Sequence, residues 1–167
     1  MNDYIEITGQ KIGPSYPPYV IAELSANHNG SLDTALKILN EAKLAGADAV
    51  KLQTYTADTL TLNSDSEEFM IRGGLWDGNS LYELYEQAQM PWEWHKPLFT
   101  EAAKLGITIF SSPFDCTAAD LLADLNAPAY KIASFEAIDL LLIKYVAGMG
   151  KPMIISTGMA DEDEIGE

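Results

Sequence analysis

Five short apolar runs recur along the chain, and each one ends in a polar or charged residue. The runs cover residues 19–23, 49–53, 107–112, 129–134 and 153–157. Four of them are followed by apolar residues at helical spacing, and the fifth by an acidic first helical turn. Strands that alternate with helices in this way form a parallel sheet whose carboxyl ends share one face. The pattern therefore predicts an α/β fold, the N-terminal part (about five strands) of a TIM (β/α)8 barrel, with functional residues on that face.

The helical stretches have recognisable starts and stops. Helices are predicted from Ser31 to a stop at Gly46, and over 81–89, 91–105, 117–125 and 138–148, with a first turn at 161–167. Upstream, residues 4–12 alternate apolar and polar around Gly9, which indicates a β-hairpin that covers the bottom of the barrel. Residues 1–18 are therefore assigned to the hairpin and its connector, and residues 19–167 to a partial barrel.

Between residues 54 and 79 the periodic pattern gives way to a long polar segment rich in turn residues. A loop of that length in a compact domain is usually functional or disordered. Its aromatic and apolar residues, which include Phe69, Leu75 and Trp76, favour an ordered lid over the active face.

An open doubly wound sheet is the alternative architecture, because five strands suffice for it whereas a closed barrel needs eight. The chain lacks a glycine-rich phosphate loop after the first run, and polar residues end all five runs instead of meeting at one switch point. Both observations favour the barrel. The chain is then expected to be the N-terminal piece of a longer protein, with open edges at its first and fifth strands that can pair with another copy.

Composition narrows the classes of function. The chain has 167 residues, a formal net charge of -15 and one cysteine, Cys116. Nucleic acids and anionic membranes are disfavoured as partners, because phosphate backbones need clustered lysine and arginine, but one positive pocket can still hold a small anion. A single cysteine excludes an internal disulfide, and no stretch approaches the roughly 20 apolar residues of a membrane helix. A soluble cytoplasmic protein is expected.

Two lysines interrupt the apolar strands. Lys51 lies within the second run and Lys131 within the fourth. An ammonium group in a buried parallel strand is costly unless it meets a partner or points into a wet site. Even-numbered strands contribute to the same inward layers of a barrel, so the two lysines can converge on one anion. The alternative is that each stem is buried while its head group reaches solvent.

Hydroxyl groups gather at the ends of the later strands. Ser111 and Ser112 end the third run, Ser134 ends the fourth, and Ser156 lies in the fifth. Hydroxyls beside backbone N–H groups are common ligands of phosphate and carboxylate, although they also cap helices. Their position near the lysines favours anion binding.

Two carboxylates and two histidines complete the candidate chemistry. Glu23 ends the first run and Glu136 follows the fourth. Each can bind sugar hydroxyls, act as a general base or form a salt bridge with a lysine. His95 falls within a predicted helix, far from the strand ends, and is expected to be structural. His28 lies on the active face, where a single histidine makes a weak case for a metal ion.

These residues lie in segments that closely resemble the sialic acid synthase family, whose members condense phosphoenolpyruvate with an N-acetylated sugar. The segments are IAELSANHNG at 21–30, GADAVKLQ at 46–53, FSSPF at 110–114, AYKIAS at 129–134 and STGM at 156–159. They follow one another along nearly the whole chain. Within the family, QTYT at 53–56, GGLWD at 73–77 and PWEWH at 91–95 resemble the pseudaminic acid synthase branch. Sialic and legionaminic acid synthases are the alternative branches.

The resemblance implies strand ends that hold phosphoenolpyruvate and a divalent metal ion, Mn²⁺ or Mg²⁺. By motif, the residues that would bind phosphoenolpyruvate are Lys51, Ser112, Lys131, Ser134 and Ser156. The sugar would be bound by Glu23, with Gln53 and Glu136 as weaker candidates. The catalytic residues would be Glu23, Lys51 and Lys131. No metal ligand is assigned within this chain, because the metal-binding histidines of the family come from later strands.

The implied reaction joins C3 of phosphoenolpyruvate to the aldehyde carbon of the sugar, while the metal ion polarises the aldehyde, water enters at C2 and phosphate leaves. For the pseudaminic acid synthase branch the expected sugar is a 2,4-diacetamido-2,4,6-trideoxy hexose, and the product is a nonulosonic acid. This sugar is more apolar than N-acetylmannosamine. The 54–79 segment is therefore expected to determine specificity, with Trp76 or Tyr55 against the methyl groups of the sugar.

In this family an antifreeze-like C-terminal domain of the partner subunit completes the sugar site, which implies a homodimer of the full-length protein. This sequence contains neither that domain nor the later strands, so the chain alone is expected to lack metal and activity. A different class of function stays open, a non-catalytic module that binds phosphate or assembles through its open strand edges. Turnover of substrate separates the two classes.

Overall fold

In a computed structural model, which describes residues 3–166, the hairpin and the five predicted parallel strands are present. The hairpin pairs β1 (Ile5–Ile7) with β2 (Gln10–Ile12) in antiparallel fashion. The parallel strands are β3 (Ile21–Glu23), β4 (Ala49–Thr54), β5 (Thr108–Pro113), β6 (Tyr130–Ile132) and β7 (Met153–Ile155). They pair strictly in chain order. A doubly wound sheet reverses its order at a switch point, so the barrel prediction is confirmed.

Helices occupy the connections between the strands. The α-helices are α1 (Leu32–Leu44), α2 (Ala57–Leu60), α3 (Leu81–Ala88), α4 (His95–Leu105), α5 (Cys116–Asp124), α6 (Leu140–Ala147) and α7 (Glu162–Gly166). Short 3-10 helices cover Glu67–Phe69, Trp92–Trp94 and Phe135–Ile138. Between residues 3 and 166, no helix is both long and apolar enough to cross a bilayer.

The helix boundaries differ from the prediction at two places. The helix predicted over 91–105 begins as a 3-10 helix and becomes α-helical only at His95. The helix predicted over 138–148 begins at Leu140, because the Asp139 carboxylate accepts a hydrogen bond from the Leu142 N–H at 2.9 Å and caps the helix there. The division of the chain into units 1–18 and 19–167 stays a prediction. Residues 1, 2 and 167, which belong to these units, lie outside the described residues.

Apolar side chains on the outer face of the sheet pack against the helices in two clusters. The first cluster joins α1 and α4 to β4 and β5, and includes Leu39, Val50, Leu52, Leu98 and Ile109. The second joins α5 and α6 to β6, and includes Leu122, Tyr130, Ile132, Leu142 and Val146. Burial of each large aliphatic side chain stabilises the fold by about 1.5–3 kcal/mol, so the outer core holds the strands in register behind the inner face.

The inner face of the sheet is apolar near its amino-terminal edge, where the hairpin covers it. The cluster under the hairpin consists of Ile7, Ala49, Phe110 and Ala129, with Ile21 and Ile154 packed against it. The hydroxyls of Thr8 and Thr108 lie 2.6 Å apart and join the hairpin to the start of β5. The hairpin therefore covers the bottom of the barrel, as predicted.

The segment at 54–79 contains more regular structure than its composition predicts. It includes α2, a 3-10 helix and a loop closed by a β-bridge between Met70 and Ser80. The Tyr55 ring is buried edge-on against Tyr85 and Phe114. The Tyr55 side chain is therefore buried, whereas Trp76 in the closed loop stays accessible, and a contact of either residue with a sugar stays a prediction.

Substitution of Ile7 tests the contribution of the hairpin. Ile7 is 1% exposed, whereas Ile5 on the same strand is 46% exposed. We expect Ile7→Ala to lower the free energy of unfolding by about 2–5 kcal/mol, because it leaves a cavity in a packed cluster, and Ile5→Ala by about 0.5 kcal/mol or less. Urea unfolding followed by circular dichroism measures both. Equal losses in the two variants would contradict a packed hairpin.

Candidate active site

The inner face changes from apolar to polar towards the carboxyl ends of the strands. The residues clustered under the hairpin occupy inward positions nearer the amino ends of the sheet, and side chains alternate between faces along a strand. The next inward positions are therefore Glu23 on β3, Lys51 and Gln53 on β4, Ser112 on β5, Lys131 on β6 and Ser156 directly after β7. This ordering brings most of the predicted site residues to one face.

Lys51 meets a charge partner on the neighbouring strand. The β3–β4 register sets Glu23 opposite Lys51, and Lys51 Nζ lies 2.9 Å from Glu23 Oε2. The Lys51 side chain is only 9% exposed, so this carboxylate offsets part of the cost of burying the ammonium group. The Glu23 side chain is 58% exposed. The salt bridge considered as an alternative for Glu23 is thus present, and it leaves the carboxylate accessible from solvent.

Lys131 is held by oxygen acceptors and lies in the field of Lys51. Its Nζ donates to Ser156 Oγ and to the carbonyl of the next residue, both at 2.6 Å. Partial burial lowers the pKa of Lys131, and the positive charge of Lys51 lowers it further. The carboxylates of Glu23 and Glu136 oppose this shift. The charge of Lys51 thus reaches Lys131, and convergence of the two lysines on one anion stays a prediction.

The Ser112 hydroxyl is a buried group without a partner. Its side chain is buried on the inner face, and within residues 3–166 its Oγ has no hydrogen-bond partner. A buried hydroxyl without a partner is costly, which favours a polar ligand at this position. Ser134 begins the 3-10 helix after β6 without capping it, and its Oγ lies beside Gly158.

Gln53 and Glu136 lie on different elements, a strand and a 3-10 helix. Gln53 is the register partner of Ser112 and is half-buried. Glu136 lies in the 3-10 helix after β6, where its Oε2 is buried and without a hydrogen-bond partner in the described part of the chain. Burial raises the pKa of Glu136, against the smaller effects of a backbone hydrogen bond and the Lys131 charge. The Glu136 carboxyl therefore keeps its proton to a higher pH than an ordinary glutamate.

A buried polar network lies behind these residues, on the outer face of β4 and β5. Thr54 Oγ1 is 2.8 Å from His95 Nε2 and 2.6 Å from Ser111 Oγ. On the other side of the ring, His95 Nδ1 is 3.2 Å from the carbonyl oxygen of Trp92. A carbonyl only accepts, so Nδ1 carries the proton and Nε2 accepts a hydrogen bond from Thr54. Burial lowers the pKa of His95, which favours the neutral ring.

The position of His95 corrects the prediction. His95 is structural, but it is not far from the strand ends, because it contacts Thr54, the last residue of β4. The network joins residues 41 positions apart and was not predicted. Strand alternation is the signal that was missed: if Ser112 faces inward, Ser111 has to face the helices and find a partner there.

His28 organises the loop between β3 and α1. Its ring is buried, packs edge-on against Trp94, and accepts a hydrogen bond at Nδ1 from the Gly30 N–H over 3.1 Å. Burial lowers the pKa of His28. Within the described residues, no group of three or more His, Cys, Asp and Glu side chains is arranged to hold a metal ion.

The fold and this face together define a class of protein. Lysines and hydroxyls lie at the carboxyl ends of parallel barrel strands, which is where barrel enzymes carry their active sites. Such a face is typical of a barrel enzyme with an anionic substrate. The chain belongs to the NeuB family, whose profile matches residues 38–167. The resemblance to the sialic acid synthases is thereby confirmed.

The relatives of this chain include three that are named pseudaminic acid synthase, two from Campylobacter jejuni subsp. jejuni and one from Helicobacter pylori. Each of the two from Campylobacter jejuni subsp. jejuni is 56% identical over 147 residues, which are 88% of this chain and 43% of the relative. The one from Helicobacter pylori is 54% identical over 149 residues, 89% of this chain and 44% of the relative. An N,N'-diacetyllegionaminic acid synthase from Legionella pneumophila is 35% identical over 153 residues, 92% of this chain and 43% of the relative. The chain thus spans less than half the length of these curated relatives.

Solved structures share the fold over nearly the whole chain. The N-acetylneuraminic acid synthetase of Leptospira borgpetersenii matches 98% of this chain with a TM-score of 0.83 at 28% identity, and 52% of that protein is covered. The spore coat polysaccharide biosynthesis protein SpsE of Bacillus subtilis matches 98% with a TM-score of 0.77 at 34% identity, and 42% of it is covered. These matches support the assignment of the five strands to a barrel.

The buried histidines make stability depend on pH. Because the pKa of His95 is lowered on folding, the unfolded chain takes up a proton first as the pH falls below about 6.5. We expect the free energy of unfolding to fall below that pH, by up to about 1.4 kcal/mol per pH unit for each histidine. His95→Gln keeps a donor and an acceptor at the site, lowers stability at neutral pH and flattens this dependence. Denaturant unfolding between about pH 5 and pH 8 measures it.

Comparing His95→Gln with the unsubstituted protein isolates the contribution of His95 to the pH dependence. Glu136 and His28 are present in both proteins, so their contributions cancel in the difference. An unchanged pH dependence in His95→Gln would show that the His95 ring does not titrate on unfolding.

Proposed function

We propose that the protein to which this chain belongs is a pseudaminic acid synthase. It condenses phosphoenolpyruvate with a 2,4-diacetamido-2,4,6-trideoxy hexose and releases a nonulosonic acid and phosphate. The observation that carries the proposal is that Lys51 and Lys131 both lie at inward positions of the barrel strands, where Lys51 Nζ is 2.9 Å from Glu23 Oε2 and Lys131 Nζ is 2.6 Å from Ser156 Oγ. The sugar is chosen by similarity, because the pseudaminic relatives are 56% and 54% identical and the legionaminic relative 35%. A sialic or legionaminic acid synthase is the alternative.

The inner face offers donors that match the phosphate and carboxylate of phosphoenolpyruvate. Lys51 is already paired with the carboxylate of Glu23, whereas Lys131 Nζ donates its two hydrogen bonds to neutral oxygens. An ammonium has three N–H donors, so an anion beside Lys131 can accept the third and offset the repulsion between the two lysines. The proposed phosphoenolpyruvate site consists of Lys51, Ser112, Lys131, Ser134 and Ser156.

The proposed reaction balances without a redox partner. C3 of phosphoenolpyruvate bonds to the aldehyde carbon, water adds at C2, and the bond between C2 and the phosphate oxygen breaks. The oxygen of water becomes the C2 keto group, one of its protons ends on the former aldehyde oxygen, and the other leaves with phosphate. Lys51 and Lys131 stabilise the charge on the phosphate throughout.

The carboxyl groups lie on the sugar side of the proposed site. Glu23 is accessible beside Lys51 and is proposed to bind the sugar near its reacting carbon, with Gln53 in support. Glu136, whose Oε2 is buried without a hydrogen-bond partner in the described part of the chain, is proposed as a weaker candidate for binding a sugar oxygen. The proposed catalytic residues are thus Glu23, Lys51 and Lys131.

A divalent metal ion, Mn²⁺ or Mg²⁺, is part of the proposal and would supply Lewis acidity towards the aldehyde. The residues described between 3 and 166 do not form a site for it, so its ligands are proposed to come from other parts of the full-length protein. A homodimer and a cytoplasmic location of the full-length protein are proposed on the resemblance to the family alone.

A hybrid protein tests the activity. This chain is joined to the part of a Campylobacter jejuni relative that follows the matched region, and is supplied with phosphoenolpyruvate, Mn²⁺ and one sugar at a time. We expect phosphate release and a nonulosonic acid product, measured by mass spectrometry, with the diacetamido precursor of pseudaminic acid. The diacetamido precursor of legionaminic acid and N-acetylmannosamine are expected to react at least about tenfold more slowly.

The remaining outcomes of the assay on the hybrid protein would each indicate a different function. Preferred turnover of the legionaminic precursor or of N-acetylmannosamine would place the protein in one of the other two branches. Binding of phosphoenolpyruvate without turnover of any sugar would favour the non-catalytic phosphate-binding module. The hybrid carrying Lys51→Met serves as the inactive control, because it removes a proposed catalytic residue from this chain and none from the relative.

Substitution of Lys131 tests the anion site. In the hybrid, Lys131→Met is expected to raise the dissociation constant of phosphoenolpyruvate about 10- to 100-fold, because it removes a charge-assisted hydrogen bond of about 1.5–3 kcal/mol. Isothermal titration calorimetry measures the constant. Lys151→Met is the matched control, since Lys151 is exposed and precedes β7, at the opposite end of the strands. Equal dissociation constants of phosphoenolpyruvate for Lys131→Met and Lys151→Met would contradict a role of Lys131 in binding.

A further inference from the structure

A cavity of about 380 Å³ lies between the β3–α1 loop, the loop between Met70 and Ser80, and the end of α3. It is lined by Ala26, Asn29, Gly30, Trp76, Gln87 and Ala88. These residues are distinct from those proposed above for phosphoenolpyruvate and for the reacting end of the sugar. A volume in this range suits a small ligand or a large part of one.

The β3–α1 loop forms one wall and is held by its own hydrogen bonds. The Asn27 backbone N–H and side-chain amide both donate to the Leu24 carbonyl, at 3.1 and 3.0 Å. His28 accepts from the Gly30 N–H, as described above, and Asn29 has a left-handed backbone with φ of 48°. Asparagine tolerates that conformation better than most residues. The loop therefore presents the exposed Asn29 amide from a fixed backbone.

The loop between Met70 and Ser80 forms the opposite wall and is also cross-linked. The Ile71 N–H donates to the Asn79 carbonyl at 2.9 Å, and the Gly78 N–H donates to the Ile71 carbonyl at 3.1 Å. Trp76 lies within this loop and is 40% exposed. An indole that stays partly uncovered on an ordered loop, lining a cavity, is well placed to contact a ligand.

The chemistry of the cavity matches an acetamido group. Trp76, Ala26 and Ala88 offer apolar surface for a methyl group. The exposed amides of Asn29 and Gln87 each offer a donor and an acceptor for an amide N–H and C=O. None of the six described lining residues is charged, so the cavity suits an uncharged group.

Resting on the proposed function, we propose that this cavity binds the 4-acetamido group of the sugar and that Trp76 determines specificity. The reacting aldehyde at C1 has to reach the inner face with its lysines. The substituents at C4 and C6 then lie at the far end of the sugar, towards the loops. The 4-acetamido group and the C6 methyl group are also the features that distinguish this sugar from N-acetylmannosamine.

The test compares two matched sugars in the hybrid protein. One is the 2,4-diacetamido sugar, and the other carries a hydroxyl in place of the 4-acetamido group. We expect Trp76→Ala to lower kcat/KM for the diacetamido sugar about 10- to 100-fold, mainly through KM, and to change that of the hydroxyl analogue less than about threefold. Trp76→Phe, which keeps an aromatic ring, is expected to recover part of the preference. Leu75→Ala is the control, because Leu75 is the neighbouring residue and is 89% exposed.

The outcomes separate this inference from the proposed function. If Trp76→Ala leaves the ratio between the two sugars unchanged, the inference is overturned, while turnover of the diacetamido sugar by the unsubstituted hybrid still supports the synthase. If the unsubstituted hybrid does not turn over the diacetamido sugar, the proposed function fails and this inference fails with it. Thermal unfolding of Trp76→Phe and Trp76→Ala separates loss of recognition from loss of folding.

Discussion

An ammonium group on the inner face of a parallel sheet needs a partner, and the rest of the site depends on how this chain supplies one. The pair between Lys51 and Glu23 exists because the β3–β4 register sets the two residues opposite each other. A shift of β4 by one residue would turn Lys51 to the apolar outer face, so the outer core and the ion pair enforce the same register. Loss of the carboxylate would leave a buried charge unpaired, which costs more than the pair itself contributes. The cluster around Ile7 bounds this polar layer from below.

Strand alternation lets neighbouring residues serve opposite faces of the sheet. Thr54 and Ser111 point outward, and Thr54 is hydrogen-bonded to both Ser111 and His95, which ties the ends of β4 and β5 to α4. Gln53 and Ser112, one position away, point inward and are opposite each other in the register. The hydroxyls of Thr54 and Ser111 behind the sheet are therefore paired and hold the strands, while the buried hydroxyl of Ser112 in front has no partner within the described residues. A rigid outer network of this kind keeps the inner groups in one geometry.

The strand order and the inward placement of both lysines are predictable from sequence because both follow from local pattern, namely apolar runs, a period of two and intervening helices. Contacts between residues that are distant in sequence cannot be predicted from such a pattern. Tyr55 and Trp76 lie in the same irregular segment, and only the packing of Tyr85 and Phe114 decides that the first is buried. The start of α6 was missed for a different reason, since Asp139 caps the helix within a stretch whose apolar pattern continues across the boundary.

The charge of the chain sets the two proposed substrates apart. With a formal net charge of -15, the exterior gives an anion no long-range attraction, and exposed charges are screened beyond about 8 Å at physiological ionic strength. Binding of phosphoenolpyruvate then has to come from short-range contacts with Lys51, Lys131 and the inward hydroxyls. An uncharged sugar is indifferent to the acidic exterior, so its recognition can rest on uncharged groups such as those around Trp76. The cations of the proposed site lie on the inner face, and uncharged side chains line the outer cavity. This arrangement matches the difference in charge between the two proposed substrates.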